Sequence, residues 1–470
     1  MAWEDAYNES EDIVHAIEDG HMPPWPPDTT YQRFSHERVL NAEEVALILE
    51  WVDVGMPIGN TDLAPPPPVY NEDGFITLPP DLELTMPLYT SNATFQSDDY
   101  SCFALPTGLL QNKKIRAFEV IPGNPEIVHH ALVFVDANAT YATNTSGFCM
   151  GPQDGLIGGY TPGAFPTVFP SDGVNFNLGV TIPAGSNLIL AMHYPNGSQG
   201  MTDQTKIRLW FYPEATTIRE VITNSILQDW TLYLPPNQIT TVNTDFDFIP
   251  VDASVLSVFP HMHLLGESIE SYAMTPDNDS IPFIRINKWD FHWQQFFYFR
   301  NILRVPAGST MYGRATYNNT IDNPHNPNDP PEAVTAGLNT SDEMFLIYFQ
   351  FLPYLPGDEL QDLEALTQMP GITGIHANEQ DGTSVVKVFP NPAVNQVQFD
   401  IDLESSAVVS LYLYDVKGRL MDRVLHQSQM PAGNQQIPYT IKSHIKPGIY
   451  TYSVNIGSVM SSGKLLVIAK

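Results

Sequence analysis

Two periodicities divide the chain. Near the N-terminus, EDIVHAIEDG and AEEVALILEWVDVG place apolar residues at helical spacing, and a glycine closes each. Residues 11–55 are therefore predicted to hold two helices. Between them, HMPPWPP is too rich in proline for the interior of a helix or strand. The run Pro65 to Pro68 predicts a stiff, extended linker. From about residue 80 the pattern changes. Short runs of Val, Ile, Phe, Tyr and Thr alternate with Asn, Gly, Pro and Asp, as in KIRAFEVIPG, HALVFVD, SNLILAMHYPNG, KIRLWFY and SVLSVFPHMH. Such runs predict antiparallel β-sandwich. The stretch 80–355 is too long for one sandwich and suits two, with a break near Pro213 to Thr217. A polar segment, 357–384, precedes a last set of strand-like runs, VVKVFPNPA, VQFDIDL, AVVSLYLYDVKGRL and GIYTYSVNIG. No tandem repeat is present. The expected organisation is a helical segment over 1–60, a proline-rich linker over 61–79, jelly-roll-like sandwiches over 80–214 and 215–356, a linker over 357–384, and a small β-sandwich over 385–470. The fold class is mainly β.

Composition sharpens this picture. The 53 acidic and 21 basic residues give a formal net charge of −32. That field repels polyanions, so nucleic acid is excluded as a partner. No apolar run is long enough to span a bilayer as a helix. MAWEDAYNESEDIV has neither the basic nor the apolar region of a signal peptide. The two cysteines, Cys102 and Cys149, do not form a CxxC pair, which argues against a zinc-thiolate or thioredoxin site. Neither GxGxxG nor GxxxxGK[ST] occurs, and no Ser-His-Asp set stands out.

Chemistry concentrates in the histidines. Of 13, five fall in three short apolar segments: His129 and His130 in EIVHHALVF, His193 in LAMHYPNG, and His261 and His263 in FPHMHLLG. Met344 follows in NTSDEMFLIYF. Imidazole suits copper, zinc, iron and nickel, and a thioether favours Cu(I). Two metal sites are expected, one with three histidines and one with two histidines and a methionine. On a regular strand His129 and His130 would point to opposite faces, so both bind one metal only if the strand twists or ends there. His261 and His263 project from one face. Read individually, His193 is a strand-edge residue and Met344 core filler. His292, among aromatics in DFHWQQFFYF, reads as packed or hydrogen-bonded. His15, His36, His325, His376, His426 and His444 read as surface positions.

The order HH, HY, HxH, SDEM resembles the copper type II, ascorbate-dependent monooxygenases, which include the peptide-amidating hydroxylase and dopamine β-monooxygenase. The resemblance covers residues 80–355. It implies that His129, His130 and His193 bind an electron-storing copper, and that His261, His263 and Met344 bind a second copper that activates oxygen. It implies two coppers per chain, ascorbate or another one-electron donor as reductant, and O2 with a small-molecule substrate as partners. It also implies a Cys102–Cys149 disulfide and a solvent-filled cleft between the two copper domains. The peptide-amidating branch has an arginine where this chain has Phe259 and an asparagine where it has Leu346, whereas Tyr348 is kept as a substrate-side residue. Without the arginine fork a substrate carboxylate loses its usual partner. A non-peptide, more apolar substrate is expected.

Two further resemblances flank this region. VFPNPA at 388–393, LYDVKGRL at 413–420, PGIYTYSV at 447–454 and the terminal Lys470 resemble the type A sorting domain of the type IX secretion system of Bacteroidota. This implies export to the cell surface or medium through that machinery, and a leader upstream of the chain as written. EDGHMPPWPP and ILEWVDVGMP resemble the C-terminal half of a small c-type cytochrome. Met22 would then be a haem ligand, but only with a CxxCH site upstream, and a cytochrome could feed electrons to the coppers. A non-enzymic copper-binding surface protein, and an adhesin whose histidines are incidental, are the competing readings.

Overall fold

The computed structural model describes residues 3–59, 74–95, 97–368, 386–391, 393–403, 406–415, 420–442, 444–446, 448–456 and 459–467. The linker prolines Pro65 to Pro68, His376, most of the 357–384 linker and Lys470 lie outside them. The fold is mainly β. The chain forms two compact units, Met1–Ile372 and Thr373–Lys470.

The larger unit contains two sandwiches. In the first, the strands Leu82–Thr85, Lys206–Phe211, Lys113–Ile121 and Leu178–Ile182 form a sheet that packs on a second sheet. The second sheet runs Asn144–Gly147, Asp99–Pro106, Asn187–Tyr194, His130–Asp136, Leu156–Tyr160. Alternation fills the space between them: Phe103, Leu105, Leu188, Leu190 and Met192 meet Ile115, Phe118, Ile207 and Leu209. Strand Asn187–Tyr194 is nonetheless buried on both faces. Its other face, with Ile189 and Ala191, is covered by Phe134 and the disulfide between Cys102 and Cys149.

The second sandwich pairs the sheet Ile222–Gln228, Leu346–Pro353, Ala253–His261, Phe297–Val305 with the sheet Gln238–Phe246, Thr310–Asn319, Gly266–Met274, Ser280–Ile286. Its core gathers Val255, Val258, Ile269, Phe283, Phe299, Ala315, Ile347 and Phe349. Strand Arg219–Glu220 still pairs with Leu178–Ile182, so the chain crosses from one sandwich to the other just after Glu220. The two sandwiches are joined by a shared apolar core. Leu256, Ile302 and Leu352 of the second pack in one cluster with Val221 and the first sandwich's interior. Arg219 donates to both Asp358 oxygens across this seam, at 2.6 and 2.8 Å.

The N-terminal helices Ser10–Glu18 and Ala42–Asp53 form where the spacing predicts them, the second with a capping box at Asn41 and Glu44. A short helix, Trp3–Asn8, precedes them, and none of the three buries a residue. The segment between the two longer helices behaves differently. Phe34 joins the second sandwich's core with Trp25 packed on it, and Pro27 and Phe34 bridge to Ile286 and Phe299. The guanidinium of Arg38 lies over Phe165 and Trp293.

The second unit has the strand order Val386–Phe389, Gln396–Leu403, Gly433–Thr440 in one sheet. The other sheet runs Leu420–Met430, Ala407–Asp415, Gly448–Ile456, Val459–Val467. It has its own core around Phe399, Leu411, Leu413 and Val454.

Candidate metal centre

Strand pairing brings the first three histidines together. His193 lies opposite His130 on one neighbouring strand and Tyr100 on the other. Directly paired residues share a sheet face, so all three rings stand on the face that the disulfide covers further along. His129 sits just before its strand begins, and its N–H donates to the His193 carbonyl at 3.1 Å. The strand thus ends between the two histidines, and both rings turn to one side. The Nδ1 atoms of His129 and His193 lie 3.2 and 3.3 Å from Nδ1 of His130. Two imidazole nitrogens bound about 2.0 Å from one tetrahedral ion are about 3.3 Å apart, so the donor set fits a metal. Among the described residues these three form the one group of His, Cys, Asp or Glu with metal-ligand spacing.

The remaining contacts fix the rings. His193 Nε2 lies 2.9 Å from Asp98 Oδ2, and Tyr100 stacks on its ring at 4.2 Å. Burial alone would raise the Asp98 carboxyl, but hydrogen bonds from His193 and Thr340 outweigh it and hold it down at about 2. His129 stacks on Phe291 at 4.6 Å.

The second group sits where strand Ala253–His261 ends, with His263 just beyond. His261 Nδ1 lies 2.5 Å from Gln294 Oε1, and His263 Nδ1 donates to the Asp342 carbonyl at 3.1 Å. Each contact occupies Nδ1 and leaves Nε2 as the free donor. The ring centroids are 5.1 Å apart. Met344 is buried, two residues before Leu346, the cross-strand partner of His261. Glu343 anchors this turn from within. Its buried carboxyl oxygens accept the backbone N–H of His263 at 2.9 Å, Leu265 at 2.7 Å and Met344 at 3.0 Å. Burial pushes its carboxyl up to about 8. Burial likewise lowers the histidines, with neighbouring imidazoles adding to the effect: His129 and His261 to about 3, His263 to about 4, and His130 well below its ordinary value. Their lone pairs are therefore free for a metal at neutral pH.

The two groups meet without an open cleft between them. The His130 and His261 rings are 5.9 Å apart, and Phe291, stacked on His129, also approaches His263 at 6.0 Å. Among the described residues the expected solvent-filled separation is not found, because the sandwiches share a core and because Asp98 and Thr340 bond across the seam. His292 is not packed. Its side chain is 75% exposed, beside Asp290, and the neighbouring Phe291 does the packing. His36 is half-buried against Thr367, not a free surface residue. Met22, the candidate haem ligand, is exposed. Phe259 packs on Phe296 at 4.9 Å, stacks on Tyr348 at 5.6 Å, and lies 6.2 Å from His261. Asp98, Tyr100, Phe291 and Gln294 were not singled out from sequence. Asp98 and Tyr100 flank a second aspartate just before Cys102, and only the pairing of their strand with that of His193 gives them a role.

Residues 238–363 match the family described as copper type II ascorbate-dependent monooxygenase, C-terminal domain. Residues 387–468 match the secretion system C-terminal sorting domain. No curated protein matches the chain. Among solved structures, a Parabacteroides merdae β-glucuronidase is 10% identical, with 49% of this chain covering 28% of that one at a TM-score of 0.15. The VP2 subviral particle of infectious bursal disease virus is 11% identical over 64% of this chain and 76% of that one, with a TM-score of 0.18. Dimeric latent PorU from Porphyromonas gingivalis is 13% identical over 84% and 34%, with a TM-score of 0.17. Likenesses this weak say nothing about the present chain. The segment that holds His261, His263 and Met344 thus matches the C-terminal domain of the copper type II ascorbate-dependent monooxygenases, and residues 387–468 of the second unit match the secretion system sorting domain.

Proposed function

We propose that the chain is a copper-dependent monooxygenase that hydroxylates a C–H bond of a small, apolar, non-peptide substrate. The observation that carries this reading is the convergence of two histidine groups from two sandwiches, one presenting Nδ1 atoms and the other Nε2 atoms, within ring-contact distance. Insertion of one oxygen atom takes two electrons and two protons with O2, and releases the second atom as water. Copper, held at both groups, would supply one-electron redox chemistry and oxygen activation.

The protein's own groups do the positioning. His129, His130 and His193 hold the electron-storing ion. His261, His263 and Met344 hold the other, and the soft Met344 thioether favours its reduced state. Gln294 and the Asp342 carbonyl fix the His261 and His263 rings. Phe291 stacks on His129 and lies edge-on to His263, between the two groups. The rings of Phe259, Phe296 and Tyr348 form an apolar wall beside His261, with no guanidinium to meet a carboxylate. That wall supports an apolar substrate. Ascorbate is the reductant that the family implies, and a cytochrome is an alternative donor. The sorting domain directs the chain through the type IX machinery to the cell surface or beyond, and no described helix is long and apolar enough to cross a membrane.

The test is metal analysis followed by oxygen uptake. Copper-loaded protein should hold two coppers per chain and consume O2 with ascorbate when a suitable apolar substrate is added. Two bound coppers without substrate-dependent uptake across a broad apolar panel would favour a non-enzymic copper-binding surface protein. No bound copper would refute both readings.

A further inference from the structure

The mechanism above makes no use of the buried Asp98. Asp98 sits just before strand Asp99–Pro106, and its side chain is 2% exposed. It has no Lys or Arg partner among its contacts, yet it is fully engaged. Oδ1 accepts the N–H of Asn196 at 2.8 Å. Oδ2 faces His193 Nε2 at 2.9 Å and accepts the Thr340 N–H at 2.7 Å, and the Thr340 hydroxyl donates to the same oxygen. The donors come from both sandwiches. Thr340 belongs to the turn in which Asn339 donates to Asp342, whose carbonyl in turn accepts from His263 Nδ1. The same turn leads into Glu343 and Met344. A continuous set of hydrogen bonds therefore runs from the His193 ring through Asp98 and the 339–344 turn to the His263 ring.

We infer that Asp98 is a positioning residue shared by both histidine groups, fixing the proton of His193 on Nε2 so that Nδ1 faces the metal while anchoring the turn that orients His263 and Met344. This rests on the copper reading for its consequences, but the geometry is a property of the metal-free chain. A carboxylate is suited to the task because it accepts four donors at once and donates none. An asparagine would have to turn its NH2 towards one of those donors. Outer partners of this kind typically tune metal affinity about 10- to 100-fold.

The experiment uses the full chain, with Asp98→Asn, Thr340→Val and Thr340→Ser, each also made in a His263→Ala background that leaves only the first group. In metal-free protein, long-range 1H–15N correlation on histidine-labelled samples should show His193 as the Nε2–H form in wild type and Thr340→Ser. Its proton should be redistributed in Asp98→Asn. In the His263→Ala background, copper(II) affinity measured by chelator competition should fall about 10- to 100-fold in Asp98→Asn. It should fall measurably in Thr340→Val and be kept in Thr340→Ser. Among the described residues Thr340 makes no hydrogen bond to a ligand of the first group and reaches it through Asp98, so loss in Val with rescue in Ser would come from the shared carboxylate and not from general packing. If Asp98→Asn does not fold, the Thr340 pair decides. An Nδ1–H His193 in wild type, or unchanged first-group affinity in Thr340→Val and Asp98→Asn, would overturn the inference. If the wild type takes up no copper, the copper reading fails while the His193 proton still decides the role of Asp98.

Discussion

Removal of the disulfide should cost both stability and the first metal group, in that order of generality. Cys102 and Cys149 are buried and close a loop with a sequence separation of 47. On the chain-entropy account, a loop of this size stabilises by about 4 kcal/mol. For a unit spanning Met1–Ile372 about 1.3 °C of melting temperature goes with each kcal/mol, so the double variant Cys102→Ala/Cys149→Ala should melt about 5 °C lower. Alanine suits both positions because neither sulfur is in contact with solvent and a serine would bury a hydroxyl. The bridge also lies close to the site. Cys102 is two residues along the strand from Tyr100, and the Cys149 N–H donates to the Tyr100 carbonyl at 3.0 Å. Tyr100 in turn stacks on His193. Loosening the bridge should therefore weaken copper uptake at the histidine triad and leave the His261 group intact. Calorimetry on metal-free protein, followed by a two-step copper titration, reads both effects. A melting point within 2 °C of wild type would refute the energetic argument. Equal weakening of both metal steps would refute the path through Tyr100.

Other outcomes follow from separate parts of the structure. Met344→Ile, a swap of similar volume, should cost less than about 1.5 kcal/mol of stability. It should also weaken one of two copper equivalents and remove most product formation, as metal analysis, melting and turnover together would reveal; full turnover would contradict the ligand role. Arg219→Ala should destabilise the larger unit by at most about 3–5 kcal/mol, because it takes the paired cation from the buried Asp358 carboxylate, which is left with the Ser254 hydroxyl and the Leu355 N–H. Hydrogen bonds from Arg219 and Ser254 outweigh burial and lower the Asp358 carboxyl, so its stabilising contribution is present above the usual aspartate range and is lost as pH falls below it. Denaturant titrations of Arg219→Ala should accordingly show a flatter acid limb than wild type. A chain ending at residue 372 should keep its fold and copper content but fail to reach the cell surface, measured by fractionation of cells expressing it; loss of copper from soluble truncated protein would contradict the division into units.

What was legible in the sequence was whatever depends on short-range pattern. The β character of residues 80–355 follows from strand-length apolar runs between turn residues, and the helices at Ser10–Glu18 and Ala42–Asp53 follow from helical spacing closed by a glycine. The termination of the strand at His130 was legible as a condition: two adjacent histidines can serve one ion only if regular alternation stops between them. What was not legible depends on register and on contacts between sandwiches. Nothing in the neighbourhood of Asp98 marks it, since its donors lie 95, 98 and 242 residues away. Gln294 reaches His261 from a loop whose conspicuous residue was His292, and in that loop the histidine faces solvent while Phe291 faces the metal groups. The prolines of HMPPWPP, at 21–27, forbid regular structure between the two helices and say nothing of where Trp25 to Arg38 packs. The role of that stretch as a strap on the second sandwich depends on Phe34 and Trp25 entering a core made of strands more than 200 residues away.

The closeness of the two histidine groups has the same origin. Leu256, Ile302 and Leu352 alternate on their strands like any core residues, so their pattern cannot say whether they face their own sandwich or a neighbour. They face the first sandwich. That choice removes the room for a wide cleft, because Gln350 Nε2, on the same sheet, reaches the Ile157 carbonyl at 3.3 Å. With the seam closed in this way, His130 and His261 cannot stand far apart, and Phe291 has rings from both groups as neighbours. On the proposed monooxygenase reading, the rings of Phe259, Phe296 and Tyr348 are the apolar surface next to His261. If that reading holds, replacing Phe259 by a smaller apolar residue should change which substrates are turned over, and an unchanged substrate profile would count against the wall's role.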